Sequence, residues 1–171
     1  MSNRKEGDNM TDSILDGKSI LAVDDEMDIL LVLEEFILES CPNCRIEKAT
    51  TYEEAARLLN SRDWDVVVLD IMGVRGFDLL EIAVKRNMKV AMFTAHVLSP
   101  EALKRSYDMG ARAYLPKDKV KEIVPFLEDI IQYDYQTGWD RLLGKLHGFF
   151  TERFESDWEK KTGMNWKEWG K

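Results

Sequence analysis

The chain is 171 residues long, 44% hydrophobic and 33% charged, with a formal net charge of -8. That length holds one ordinary domain with room for an appendage, and the composition excludes disorder of the whole chain. The acidic balance, with no basic run, excludes the electrostatic footprint of a nucleic-acid binder, and no apolar stretch approaches the roughly 20 residues of a membrane span.

In chain order, residues 1–17 are polar and aperiodic and are expected to be a flexible lead-in. They include Arg4, Lys5, Glu6 and Asp8 and lack an apolar signal region, so a cytoplasmic protein is expected. Ser19-Ile20-Leu21-Ala22-Val23 reads as a strand running into Asp24-Asp25-Glu26. Ile29, Leu30, Leu33, Phe36 and Ile37 then repeat at helical spacing, with Glu34, Glu35 and Glu39 on the other side. Cys41-Pro42-Asn43-Cys44 ends that helix, because proline cannot continue it. The cysteine pair reads as a plain loop. A structural zinc site needs two more ligands, and neither His96 nor His147 has partner spacing; a reactive thiol pair sits at a helix start, whereas this one follows a helix.

Arg45–Ala49 is a short strand, and Thr51 with Glu54 three residues on makes a capping box for the next helix, whose inner face is Ala55, Ala56, Leu58 and Leu59. Val66-Val67-Val68-Leu69 is a continuous apolar run closed by Asp70, the signature of a strand buried on both faces. A glycine-punctuated loop over residues 71–76 leads into a helix predicted over 77–86, with Leu79, Leu80, Ile82 and Ala83 apolar. Val90-Ala91-Met92-Phe93 runs into Thr94-Ala95-His96, and Ser99-Pro100 caps a helix that stops near Gly110. Ala113-Tyr114-Leu115 leads into Pro116-Lys117. The last helix of the pattern holds Val120, Ile123, Val124, Leu127, Ile130 and Ile131. Pro125 lies inside it, so either a short turn precedes a helix starting there or the helix is kinked. Strand then helix, five times over, predicts an α/β fold with a parallel sheet covered on both faces.

Four strand ends carry chemistry: the acid pair Asp24 and Asp25, the acid Asp70, the hydroxyl of Thr94 and the amine of Lys117. Open α/β sheets keep their ligand sites at that edge. Carboxylates crowded there raise one another's pKa unless a cation compensates, and a few oxygen ligands with room for water suit Mg²⁺. A carboxylate nucleophile beside a divalent cation, a lysine and a hydroxyl donor is the equipment for forming an acyl phosphate, with Asp70 attacking the phosphoryl group.

Ala22-Val23-Asp24-Asp25-Glu26, Val68-Leu69-Asp70, Phe93-Thr94-Ala95 and Tyr114-Leu115-Pro116-Lys117 together resemble the motifs of response regulator receiver domains from two-component signalling. The resemblance covers residues 18–132. It implies a flavodoxin-like doubly wound five-stranded sheet of order 2-1-3-4-5. It also implies Asp70 as phosphoacceptor, Asp24, Asp25 and Asp70 as Mg²⁺ ligands, Lys117 as the phosphate partner, and Thr94 and Tyr114 as switch residues. A sensor histidine kinase would donate the phosphoryl group, and the domain would not be an enzyme beyond its own phosphotransfer and dephosphorylation. His96, two residues beyond Thr94, occupies a position that influences dephosphorylation in the family. The sequence departs from the family in one loop, which is two residues short, so the main-chain carbonyl that completes the metal shell falls to Met72. Pro116 precedes Lys117 instead of following it.

Residues 133–171 form a helical, aromatic-rich extension. Trp139, Leu142, Leu143, Leu146, Phe149, Phe150 and Phe154 recur at three- and four-residue spacing, and Trp158, Trp166 and Trp169 follow. Its basic and acidic residues balance, which again excludes a DNA-binding output. The stripe either packs back on the receiver or forms a dimer or partner surface, and the two agree if phosphorylation moves the helix. The expected function is a phosphorylation-controlled switch with output through protein–protein contact, to a partner or a second copy. The alternatives are a receiver-like adaptor that binds partners constitutively and a Mg²⁺-dependent phosphatase; the latter class carries an acid two residues after its nucleophile, where this chain has Met72.

Overall fold

The computed structural model describes residues 13–96 and 98–164. Five strands and their helices alternate: β1 (Ser19–Val23), α1 (Met27–Ser40), β2 (Arg45–Ala49), α2 (Tyr52–Ser61), β3 (Val66–Leu69), α3 (Gly76–Lys85), β4 (Val90–Thr94), α4 (Pro100–Asp108), β5 (Ala113–Pro116) and, after a 3₁₀ turn over Lys117–Glu122, α5 (Ile123–Gln132). All pairings are parallel and the order is β2-β1-β3-β4-β5, as the flavodoxin-like expectation required. Every residue of β3, β4 and β5 is buried, which is why these strands read as unbroken apolar runs.

Local chemistry sets the helix ends. Thr51 Oγ1 accepts the Glu54 amide at 3.2 Å, while the Glu54 carboxylate reaches back to the amide of Thr50 at 3.3 Å, one residue further than a standard box. Ser99 Oγ accepts the Ala102 amide at 3.1 Å, with Pro100 opening α4. Pro125 falls in the first turn of α5, where its missing N–H leaves no hydrogen bond unmade. A short turn does precede α5, which begins at Ile123, two residues before the proline.

Residues 13–17 depart from the expected free lead-in. They form a turn in which Leu15 is fully buried, the Cys44 thiol donates to the Leu15 carbonyl at 3.1 Å, and Ser13 Oγ donates to Glu128 at 2.7 Å. The remainder of that expected segment lies outside the described residues. Cys41 and Cys44 are both free and buried beside this turn, as the loop reading anticipated.

The C-terminal extension forms α6 (Tyr135–Arg153) and α7 (Trp158–Thr162), packed against α4, α5 and β5. Trp139, Leu142, Leu143, Leu146, Phe150, Phe154 and Trp158 are all buried. Trp139 Nε1 donates to the carbonyl of Ala111 at 2.9 Å, and its ring meets Tyr107 edge-on at 5.3 Å. Phe150 lies 5.9 Å from the ring of Tyr114 and stacks on Phe154 at 5.1 Å. Of the two readings of the aromatic stripe, the structure shows the one in which it packs back. Trp166 and Trp169 lie outside the described residues.

Candidate functional site

Three strand ends deliver the acids and the lysine. β1 runs into Asp24 and Asp25, and β3, paired beside it through Val23 and Leu69, runs into Asp70. One carboxylate oxygen from each of the three acids falls within 4.8 Å of the others. Asp24 and Asp70 are each 2% exposed, whereas Asp25 faces outward. Lys117 arrives from β5, itself only 8% exposed. Its Nζ lies 2.5 Å from Asp24 Oδ2 and 3.1 Å from Asp70 Oδ2, with Glu26 Oε1 at 3.9 Å. The other oxygens are held by main chain: Glu26 N–H donates to Asp24 Oδ1 at 2.9 Å, and Ile71 N–H donates to Asp70 Oδ1 at 2.8 Å.

One lysine does not balance this cluster. Burial pushes the Asp24 carboxyl above its ordinary range, and Asp70 adds to that push; Lys117 and the Glu26 amide offset only part of it. Burial also works against the Lys117 charge, but Asp24 and Asp70 outweigh it and hold the ammonium more firmly protonated than usual. Apart from Lys117, Asp24 Oδ2 has no partner. Three carboxylates gathered around one ammonium, two of them buried, fit a small divalent cation with oxygen ligands.

Thr94, at the end of β4, is fully buried and its Oγ1 has no hydrogen-bond partner. Tyr114 is fully buried two strand residues before Pro116, and its hydroxyl accepts the Ser99 amide at 3.0 Å. His96 stands at the rim, 67% exposed, with Nε2 3.8 Å from Glu26. The structure thus gathers Asp24, Asp25, Asp70 and Lys117, buries Thr94 and Tyr114 at the neighbouring strand ends, and leaves the Met72 side chain 52% exposed.

The short loop after Asp70 closes by two glycines. A Cβ on Gly73 would lie 2.4 Å from the Asp25 carboxylate, so only glycine lets the loop cross the acid pair so closely, and its φ of +84° is also one that side chains resist. At Gly76 a Cβ would lie 2.0 Å from the Asp70 carbonyl, so α3 begins directly against the back of Asp70.

A family model for the response regulator receiver domain matches residues 20–127. The chain belongs to that family. Among solved structures, a CheY-like response regulator receiver domain protein from Methanospirillum hungatei shares 27% identity, covering 66% of this chain and 95% of that one, with a TM-score of 0.55. The receiver domain of a Francisella response regulator shares 26%, covering 65% and 96%, with a TM-score of 0.53. A response regulator from Thermotoga maritima is similar in fold at 20% identity, covering 68% and 98%, with a TM-score of 0.60. No curated protein matches the chain. The family match stops before α6, so it leaves the extension of this receiver uncovered.

Sequence reading missed Gly73 as part of the site, and missed the pairing of Asp118, next to Lys117, with Arg153 of α6 at 2.7 Å. A glycine three residues after the central acid was the available signal for the first. No local signal exists for the second.

Proposed function

We propose that this receiver is a signalling switch that accepts a phosphoryl group on Asp70 from a sensor histidine kinase and signals through protein–protein contact. The observation that carries the reading is the Asp24, Asp25, Asp70 and Lys117 cluster, a buried acid site with one cation too few. An Asp70 carboxylate oxygen attacks the phosphorus of a phosphohistidine; the new P–O bond forms as the P–N bond breaks, and the imidazole leaves with the electron pair and takes a proton from solvent. Lys117 neutralises one phosphoryl oxygen, and the unbonded Thr94 hydroxyl donates to another. Asp24, Asp25 and Asp70 would hold Mg²⁺, with the Met72 carbonyl as a further ligand, and the bound ion would neutralise charge on the phosphoryl oxygens. The family's signalling class, the acidic balance and the absence of any sufficiently long apolar helix among the described residues support a cytoplasmic address and an output that is not nucleic acid. A solved response regulator from Burkholderia pseudomallei, similar in fold, carries a phosphorylated aspartic acid.

Acetyl phosphate with Mg²⁺, read by intact mass, tests this. A single phosphate adduct is expected, absent in Asp70→Asn and absent without the metal; no adduct on the wild-type chain overturns it. The close crossing of Gly73 over Asp25 favours a second reading, a receiver-like adaptor with constitutive partners. That reading predicts a folded chain that takes no adduct.

A further inference from the structure

The end of α6 contacts the chain both before and after Lys117. Before Lys117, Phe150 packs on Tyr114, three residues earlier in the chain, and the Tyr114 hydroxyl is tied to the Ser99 backbone. After Lys117, Arg153 pairs with Asp118, the next residue in the chain. Arg153 is itself steadied over the ring of Phe149 at 4.6 Å, and Lys119 lies 5.4 Å from the same ring. The 3₁₀ turn that begins at Lys117 therefore has the last turn of α6 as a brace.

We propose that Arg153 is a positioning residue for the phosphoryl-accepting site: by holding Asp118 it fixes the turn that aims the Lys117 ammonium between Asp24 and Asp70. The extension then serves the chemistry of the receiver and is more than a cover for its surface. Within the site Lys117 makes two short ionic contacts from opposite carboxylates, so a small swing of its backbone lengthens one at the expense of the other. Arg153 and Asp118 are both about half exposed, so the pair's effect is that of a surface ion pair and shows as a rate, not as a collapse of the fold.

The proposal rests on Asp70 being the acceptor, and the test separates the two. Phosphorylation of the full chain by acetyl phosphate is followed by intact mass, with Mg²⁺ affinity and melting temperature measured alongside. Arg153→Ala is expected to accept the phosphoryl group about fivefold more slowly, with Mg²⁺ affinity unchanged because no ligand is touched. Asp118→Arg should be slowed alike, Arg153→Lys should recover part of the rate, and Asp118→Arg combined with Arg153→Asp should recover most of it. A merely structural role would lower melting temperature in step with the rate, whereas a positioning role slows phosphorylation with melting temperature nearly unchanged. Wild-type rates in Arg153→Ala, or no recovery in the reversed pair, overturn this proposal while leaving Asp70 as acceptor. No adduct on the wild-type chain removes both.

Discussion

Thr94 is a hydroxyl held out of water with nothing to bond. Such a group costs about 1–3 kcal/mol, and replacing it by an apolar group of the same shape relieves the cost. Thr94→Val should therefore raise the unfolding free energy by about 1 kcal/mol in urea titration while lowering the yield of phosphorylated protein; a destabilised variant would show that the hydroxyl is satisfied. The buried thiols give a pH test. Burial, with Cys41 beside it, pushes the Cys44 thiol up to about 12 from an ordinary value of 9.0. Because the folded state holds this proton more tightly than the unfolded one, its contribution is complete below pH 9.0 and is lost as pH rises toward 12. Both thiols should resist a thiol reagent at about pH 8 in the native chain and react at once in denaturant. The acids, Thr94 and Lys117 were legible in the sequence because each follows an apolar run, and a run fixes which edge its last residue reaches. Gly73 and Arg153 were not, because their contacts, with Asp25 and Asp118, cross between segments whose approach no spacing specifies.

Among the elements, α6 was legible as a helix and illegible as a packing partner. Periodicity says which face is apolar, but it does not say what covers that face. Here the cover is the receiver itself. Trp139 lies fully buried with its indole N–H bonded to Ala111, so Trp139→Ala should cost about 3–5 kcal/mol in chemical denaturation. The opposite side of α6 carries Gly144 and Gly148, where an added Cβ meets nothing within 4 Å. Each is a helix-interior glycine with open space around it, so Gly144→Ala and Gly148→Ala should each stabilise by about 0.5–1 kcal/mol. Residues 13–17 show the converse limit. A polar, aperiodic stretch reads as free chain, yet one leucine in it finds a fully buried seat.

For the whole molecule, magnitudes bear on whether phosphorylation could expel the extension. Trp139, Leu142, Leu143, Leu146, Phe150, Phe154 and Trp158 are buried, and at about 1.5–3 kcal/mol apiece their burial is worth roughly 10–20 kcal/mol as an upper estimate. Coupling between sites in proteins is typically about 1–3 kcal/mol. The ordering entropy of the 19 residues of α6 offsets much of that sum, so the docked arrangement is the resting one and hydrogen exchange decides whether phosphorylation moves it. Hydrogen exchange should find the Leu142 and Leu143 amides equally protected before and after phosphorylation, with any change confined to the last turn of α6 and to α7; a large loss of protection along all of α6 would show that the helix moves. Mg²⁺ should raise the melting temperature by relieving the crowded acids, and less so in Asp25→Asn.

The covered face over α4, β5 and α5 has a social consequence for the chain. The part of this surface that lies under α6 and α7 is taken up by the chain's own tail and, while the tail is docked, is closed to a second copy. Under the proposed output, a partner would meet the outside of α6 and α7 or the helices elsewhere on the receiver.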